Sequence, residues 1–279
     1  MINLGEIKFC NSLPFKLIGG INVIENREFT FNCANHYKKV CSKLGIQFVF
    51  KASYDKANRS SHNSFRGPGI EKGLEILEEI KKEFNVPVIT DVHSPEEANL
   101  ASSVVDIIQV PAFLARQTPL IEAVSKTNCV INIKKPQFLS PHQMKNIVSK
   151  FYHYGNKKLL ICERGTCFGY DNLVVDMLGI GILKKECDNL PIVLDVTHSL
   201  QCRDASDVKS GGRRSQILDI AKAGIAINIA GIFLESHPTP DKAKCDGPSA
   251  LPLDLLEEFL FQIKTIDNTT KKLKNLEIE

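Results

Sequence analysis

The sequence predicts a closed (β/α)8 barrel with a short N-terminal β-hairpin, and three observations predict it. Eight short β-rich apolar runs are spread along the 279 residues, helical patterns fill the intervals between them, and eight such units match the roughly 250 residues usual for this fold. Near-continuously apolar strands alternating with helices belong to a parallel sheet covered on both faces. A doubly wound open sheet is the alternative arrangement of the same pattern.

In chain order, Ile2–Phe9 (INLGEIKF) precedes the first unit and reads as a hairpin closing the bottom of the barrel. The eight runs follow: Leu17–Ile24, Phe48–Lys51, Val88–Asp91, Ile107–Val110, Val130–Lys134, Leu159–Arg164, Ile192–His198 and Ile225–Glu235. Between the second and third, Ile70, Leu74, Leu77, Ile80 and Phe84 recur at helical spacing, which predicts a helix over 70–84. The preceding Gly67–Gly73 stretch has the wrong spacing for a dinucleotide fingerprint and reads as a turn and helix start. Without a linker, low-complexity tract or internal repeat, residues 1–279 are expected to form a single domain.

Composition narrows the function. A formal charge of +3 is too mild for a general nucleic-acid or membrane binder. The N-terminus lacks a basic segment followed by an apolar stretch and no run approaches about 18 apolar residues, so a cytoplasmic location without a membrane span is expected. Nine scattered cysteines with no C-x-x-C pair point to reduced thiols rather than zinc or redox chemistry.

The second strand leads into a loop that concentrates Lys51, Lys56, Arg59 and Arg66 among hydroxyls and amides, with Asp55 as its single acid. It looks built to receive an anion. Polar residues also close nearly every run: Asn22, Lys51 with Ser53, Asp91, Gln109, Lys134, Arg164, His198 and Glu235. Taken singly, Lys134 reads as a strand-end solvation residue, Arg164 as a partner of Glu163, and His198 as a helix cap. Together they sit at the C-terminal ends of parallel strands, where barrel enzymes build their sites and where buried charge must be compensated. Lys51, Lys56, Lys134 and Arg164 converging on one mouth would repel one another, and phosphate would relieve that. Arg59 and Ser60 lie farther along the loop and suit a second phosphate. Gly211–Arg214, following Ser210, reads as a linker whose arginines could help close a lid. His198, Glu235 and Asp246 are donors compatible with a divalent metal, or a hydrogen-bonded polar cluster.

Ten segments in order resemble the 3-deoxy-D-manno-octulosonate 8-phosphate synthases: Gly19–Glu25, Phe50–Ser61, Phe65–Gly69, Thr90–His93, Ala112–Gln117, Asn132–Phe138, Glu163–Tyr170, Asp195–Gln201, Ser210–Arg214 and Cys245–Leu253. The resemblance implies a (β/α)8 barrel assembled as a homotetramer. It implies condensation of phosphoenolpyruvate with arabinose 5-phosphate and water, giving an eight-carbon sugar acid phosphate for lipopolysaccharide inner-core synthesis. By motif, Lys51, Ser53, Lys56, Lys134 and Arg164 correspond to the phosphoenolpyruvate site, and Asn58, Arg59, Ser60 and Asp91 to the arabinose 5-phosphate site. Gln201 joins the substrate-binding set, and Arg116 matches an arginine that reaches a neighbouring subunit's ligand. Lys56 and Lys134 are expected in electrostatic and proton-transfer roles, His198 and Asp246 orienting water or aldehyde, and Asn22 and Glu235 supporting them. The metal-dependent branch carries Cys in a G-P-C-x-I-E motif where this chain has Gly20–Glu25 (GINVIE). Asn22 and Cys245–Gly247 therefore imply the metal-independent branch, with no cofactor. Asn228 departs from the small residue expected there. The rivals are the seven-carbon synthase using erythrose 4-phosphate, a Schiff-base aldolase using Lys134, and a non-catalytic sugar-phosphate-binding barrel.

Overall fold

The computed structural model describes residues 1–59, 61–170, 172–202, 211–274 and 276. Eight parallel strands close on themselves: β1 (Lys16–Val23), β2 (Phe48–Ser53), β3 (Val88–Asp91), β4 (Ile107–Val110), β5 (Val130–Lys134), β6 (Leu159–Glu163), β7 (Ile192–Asp195) and β8 (Gly231–His237). Each pairs with the next in sequence, and β8 pairs with β1 to complete the barrel. The open-sheet alternative is thereby set aside. Around the strands run α1 (Arg27–Leu44), α2 (Ile70–Phe84), α3 (Pro95–Ser102), α4 (Thr118–Ser125), α5 (Met144–His153), α6 (Met177–Glu186), α7 (Ile217–Ala226) and α8 (Leu256–Thr270).

Outward strand residues such as Leu17, Phe50 and Ile108 pack against the helices, including Leu77 and Ile80 of α2. Inward residues Ile18, Val49, Ile89, Ile107, Val130, Leu160, Val193 and Phe233 form a second core. The antiparallel pair Ile2–Leu4 and Ile7–Phe9 supplies Ile2, Ile7 and Phe9 to this inner core, so the hairpin plugs the barrel as expected. Because side chains alternate along a strand, the inward residue two positions later lies one layer higher. That step takes Val49 to Lys51, Ile89 to Asp91, Ile107 to Gln109, Val193 to Asp195 and Phe233 to Glu235. The inner core is oily at the bottom and ionic at the top.

Local chemistry sets the connections. Asn26 caps α1 by accepting from the Phe29 amide, and Ser94 followed by Pro95 starts α3. Helix α2 begins after Gly69, matching the expected turn and its 70–84 span.

Two expectations about extent are corrected. The run Ile225–Glu235 is not one strand: Ile225 and Ala226 end α7, and β8 starts at Gly231. A buried helix end and a buried strand are both apolar, so composition merged them. Between them Asn228 adopts a φ of 57°, a left-handed conformation that Asn tolerates better than most side chains. Likewise Ile192–His198 stops as a strand at Asp195, and His198 begins a short 3-10 turn.

All nine cysteines are free thiols. Among the described residues no helix is long and apolar enough to cross a membrane.

Gly20 is the tightest backbone contact of the barrel wall: a Cβ there would lie 2.0 Å from the Lys51 carbonyl oxygen. Gly5 in the hairpin turn has a φ of +55° but open space around it. Gly20→Ala is expected to cost at least about 3 kcal/mol through overpacking, and Gly5→Ala about 1–2 kcal/mol through backbone strain alone. Urea unfolding of both variants checks the order; a larger loss at Gly5 would refute it.

Candidate active site

Asn22 reaches the mouth through an irregularity in β1. The register with β2 shifts between Gly20 and Val23, a bulge of the kind that re-aims side chains beside active sites. Its amide nitrogen donates to Glu235 Oε2 on β8 and, at 3.0 Å, to Asp246 Oδ2. Asp246 is held by a turn that only its sequence permits. It has a φ of 48°, and a Cβ on the next residue, Gly247, would fall 2.1 Å from the Pro240 carbonyl oxygen.

Two buried ion pairs form the floor. Lys51 Nζ donates to Glu235 Oε1 at 2.6 Å and to the Asn22 carbonyl at 3.0 Å, with both side chains almost fully excluded from water. Lys134 Nζ donates to Asp195 Oδ2 at 2.5 Å and lies 3.2 Å from the Phe233 ring centroid. The same Asp195 oxygen contacts His198 Nδ1 at 2.8 Å, and the other accepts from the amides of Thr197 and His198. His198 Nε2 then faces Glu235 Oε2 at 3.4 Å and Asp246 Oδ2 at 3.8 Å. Burial alone would raise the pKa values of these acids. The fields of His198 and Lys134 on Asp195, and of Lys51 and His198 on Glu235, overcome it and hold both carboxyls below their ordinary range.

Above this floor lies a cavity of about 180 Å³, lined by Lys56, Asn58, Asp91, His93, Gln109, Lys134, Gln137, Arg164, Asp195, His198 and Glu235. Lys56 is buried, yet its ammonium meets no hydrogen-bond partner among the described residues. Burial opposes its charge, and the fields of Asp91 and Glu235 outweigh burial, raising its pKa. Across the cavity Arg164 donates to Gln201 Oε1 at 2.8 Å. Asp91 accepts from Ser53 Oγ and faces His93 Nε2 at 3.2 Å.

The structure therefore brings most of the sequence-chosen residues together and assigns them unequal positions. Lys51 and Ser53 sit behind the cavity wall, engaged by Glu235 and Asp91. Arg59 adjoins rather than lines the cavity: it lines a neighbouring pocket with Asp241, Cys245 and Asp246 and donates to Cys245 Sγ. Arg116 is exposed and outside the cavity of its own chain. Ser60 lies outside the described residues, as does Ser210.

Three expectations change. The cations do not repel one another unchecked, because Asp195 and Glu235 neutralise Lys134 and Lys51. Arg66 is no anion ligand, since it forms a two-pronged pair with Asp55. Arg213 and Arg214 are not linker residues: Gly211–Gly212 pairs with Gln201–Cys202, Arg213 donates to the Leu173 carbonyl, and Arg214 to Asp241 and the Gly247 carbonyl. Sequence reasoning missed Asp195, His93 and Gln137 as cavity residues. Asp195 carries the same sequence signal as Asp91, an acid ending an apolar run.

A profile described as the DAHP synthetase I family matches residues 2–272, nearly the whole chain. The chain belongs to that family. Within it, the chain is similar to proteins named 2-dehydro-3-deoxyphosphooctonate aldolase. One from Prochlorococcus marinus is 65% identical over 99% of this chain and 98% of its own. Another from Janthinobacterium is 60% identical over the full length of both, and one from Salmonella arizonae 58% identical over 100% of this chain and 98% of its own. The chain thus sits on the octonate branch of the DAHP synthetase I family.

In this family member the Lys51–Glu235 pair is expected to be worth much more broken than absent. Lys51→Met should cost about 3–5 kcal/mol by stranding a buried carboxylate, and Lys51→Met with Glu235→Gln should be less destabilised than Lys51→Met alone. A urea double-mutant cycle checks this; strictly additive losses would contradict it. Acid has a defined sign too. Carboxyls depressed in the folded state contribute stability that is fully present above about pH 4 and lost as pH falls below it.

Proposed function

We propose that the chain condenses phosphoenolpyruvate with D-arabinose 5-phosphate and water, releasing inorganic phosphate and 3-deoxy-D-manno-octulosonate 8-phosphate, in the cytoplasm, for lipopolysaccharide inner-core synthesis. The observation that carries this reading is identity of 58–65% over essentially the whole chain with proteins named for that octonate chemistry. The geometry supports it: one cavity has cations on two sides and an acid floor between them.

In this reading Lys56 and Arg164 bind phosphoenolpyruvate, with Gln201 orienting the guanidinium. Asn58, Arg59, Ser60 and Asp91 meet arabinose 5-phosphate. The enol methylene carbon attacks the sugar aldehyde while water adds to the carbon bearing phosphate. The adduct then collapses by breaking the carbon-oxygen bond to phosphate: the oxygen from water becomes the ketone, one of its protons ends on the former aldehyde oxygen, and the other leaves with inorganic phosphate. Most of the acceleration comes from holding two anions in register and from fixed charge around the reacting carbons. His198, directed by Asp195, and Asp246 with Glu235 are placed to orient the water or the aldehyde. Lys51 and Ser53 act one layer back, by fixing Glu235 and Asp91.

The rivals fare less well. The relatives carry the octonate name rather than that of a seven-carbon synthase. A Schiff-base nucleophile must have its amine free to attack a carbonyl, whereas Lys134 Nζ is tied to Asp195 and packed over the Phe233 ring. A retired binding barrel has no need of the acid floor.

A divalent metal does not fit here. His198, Glu235 and Asp246 do converge, but their facing atoms are engaged with one another and with the Asn22 amide rather than around an open centre. At the fourth position Asn22 presents N–H rather than a lone pair to Glu235 and Asp246. Turning the amide would aim its oxygen at two carboxylates. Arg116, exposed and away from its own cavity, suits the expected homotetramer in which it serves a neighbouring copy.

Phosphate release with phosphoenolpyruvate and arabinose 5-phosphate, and much weaker release with erythrose 4-phosphate, is the expected outcome of a coupled phosphate assay; the reverse preference would overturn the substrate reading. In the same assay Arg164→Ala should weaken phosphoenolpyruvate, and Arg59→Ala arabinose 5-phosphate, each by roughly 10- to 150-fold. Equal effects of both variants on both substrates would remove the two-site assignment.

Exhaustive chelation should leave activity unchanged, and Asn22→Cys should gain affinity for zinc measurable by titration. Activity lost to chelator and restored by a divalent ion would reverse the metal reading.

A further inference from the structure

His93 stands at the sugar-phosphate side of the cavity with a carboxylate at each ring nitrogen. Nε2 faces Asp91 Oδ2 at 3.2 Å, and Nδ1 faces Glu97 Oε2 at 3.2 Å. Glu97 Oε2 also accepts from the His93 amide at 2.7 Å and from Tyr54 OH at 2.6 Å, so it acts purely as an acceptor. Asp91 likewise accepts from Ser53, and Lys56 lies close enough for its field to help keep it ionised. A neutral imidazole has one N–H and one lone pair, and here the lone pair would point at a carboxylate. Only the doubly protonated ring satisfies both contacts. The Tyr54 ring packs edge-on against the imidazole, 6.1 Å between centroids, and limits its rotation.

We propose that His93 is a standing imidazolium and a positioning residue for the acceptor sugar: clamped between Asp91 and Glu97, it keeps Asp91 ionised and oriented to accept a hydrogen bond from a sugar hydroxyl. The inference rests on the reading that Asp91 meets arabinose 5-phosphate, and it adds a specificity element that the sugar pole shares with no part of the phosphoenolpyruvate pole. The groups facing the ring are Asp91 on β3, Glu97 on α3 and Tyr54 after β2, and Lys56 lines the same cavity and acts on Asp91. Beyond them Asp55 and Arg66 neutralise each other. Burial works against the charge, but the two carboxylates prevail and His93 is pushed up to about 9. The clamp is therefore complete at neutral pH and is lost as pH rises through that value.

Two measurements test this. In protein labelled with 15N-histidine, the His93 signals, assigned by their absence in His93→Gln, should show two N–H nitrogens from pH 6 to about 9; a ring that deprotonates near its ordinary value of about 6.5 overturns the proposal. In steady-state assays His93→Gln should raise KM for arabinose 5-phosphate by about 10- to 100-fold, with KM for phosphoenolpyruvate changed by less than about 2-fold. A lowered Tm with both constants unmoved, or both raised together, shows a merely structural role. If His93→Gln does not fold, Glu97→Gln decides. It should move the alkaline limb of kcat/KM for arabinose 5-phosphate to lower pH, and an unmoved limb sinks the idea. Absence of any turnover of arabinose 5-phosphate by the unaltered enzyme would defeat the substrate reading instead, and the NMR titration would still decide the charge on His93.

Discussion

Lys51 and Glu235 lie 2.6 Å apart in a region almost closed to water, and the rest of the site is arranged around the need to keep that pair intact. A buried ammonium and a buried carboxylate each carry a desolvation cost of several kcal/mol that only close pairing and further hydrogen bonds offset. Those further bonds come from neighbours that have functions of their own. The Asn22 carbonyl completes Lys51 and the Asn22 amide completes Glu235, while the Thr197 hydroxyl holds the Glu235 backbone by accepting from its N–H. The bulge in β1, the tight contact at Gly20 and the left-handed Asp246 are the backbone means of bringing these groups together.

The barrel supplies such pairs systematically through its two-residue period. On most strands the inward file of side chains passes from an aliphatic or aromatic residue at the bottom to a polar one above it; β6, with Cys162 above Leu160, and β1, with Gly20 above Ile18, reach their polar residue one layer later. Adjacent or nearby strands then place acid against base: β5 with β7 through Lys134 and Asp195, and β2 with β8 through Lys51 and Glu235. Asn132 and Gln109 make the neutral version of the same contact at 3.0 Å. The apolar layer beneath excludes water, and that exclusion strengthens every charge interaction above it.

This layering explains which features were legible from sequence. The eight strands were visible because parallel strands are apolar on both faces, and the outward side hides the inward alternation. The convergence of polar residues at the strand ends followed from the fold alone. Their pairing did not, since Asp195 and Glu235 neutralise lysines that are 61 and 184 positions away. Seen as a string, Lys51, Lys134 and Arg66 look like anion ligands; seen in place, each already has a carboxylate partner. Lys56, which looked no different from them, is the lysine without such a hydrogen bond. His93 was written in the Thr90–His93 motif, but its significance depends on Glu97 one helical turn away folding back onto it.

The same logic gives Asn22 a specific physical task. Glu235 Oε2 and Asp246 Oδ2 both contact one amide nitrogen, so two carboxylate oxygens stand within roughly two hydrogen-bond lengths of each other. At that spacing their repulsion is on the order of a few kcal/mol at the dielectric usual for protein sites. A metal would cancel it with two positive charges and would also bind water as a Lewis acid. An amide spreads two N–H dipoles between the acids, leaves both ionised, and adds no net charge. His198 Nε2, directed at the same two oxygens, and Lys56, whose field reaches both acids, supply the remaining compensation. With an amide at this position, compensation of the two acids falls to the side chains around them, His198 and Lys56, rather than to a single central charge. The acid floor and the cation rim must therefore be tuned together, and a change at Asn22 acts on Lys56 and His198 as much as on the carboxylates it touches.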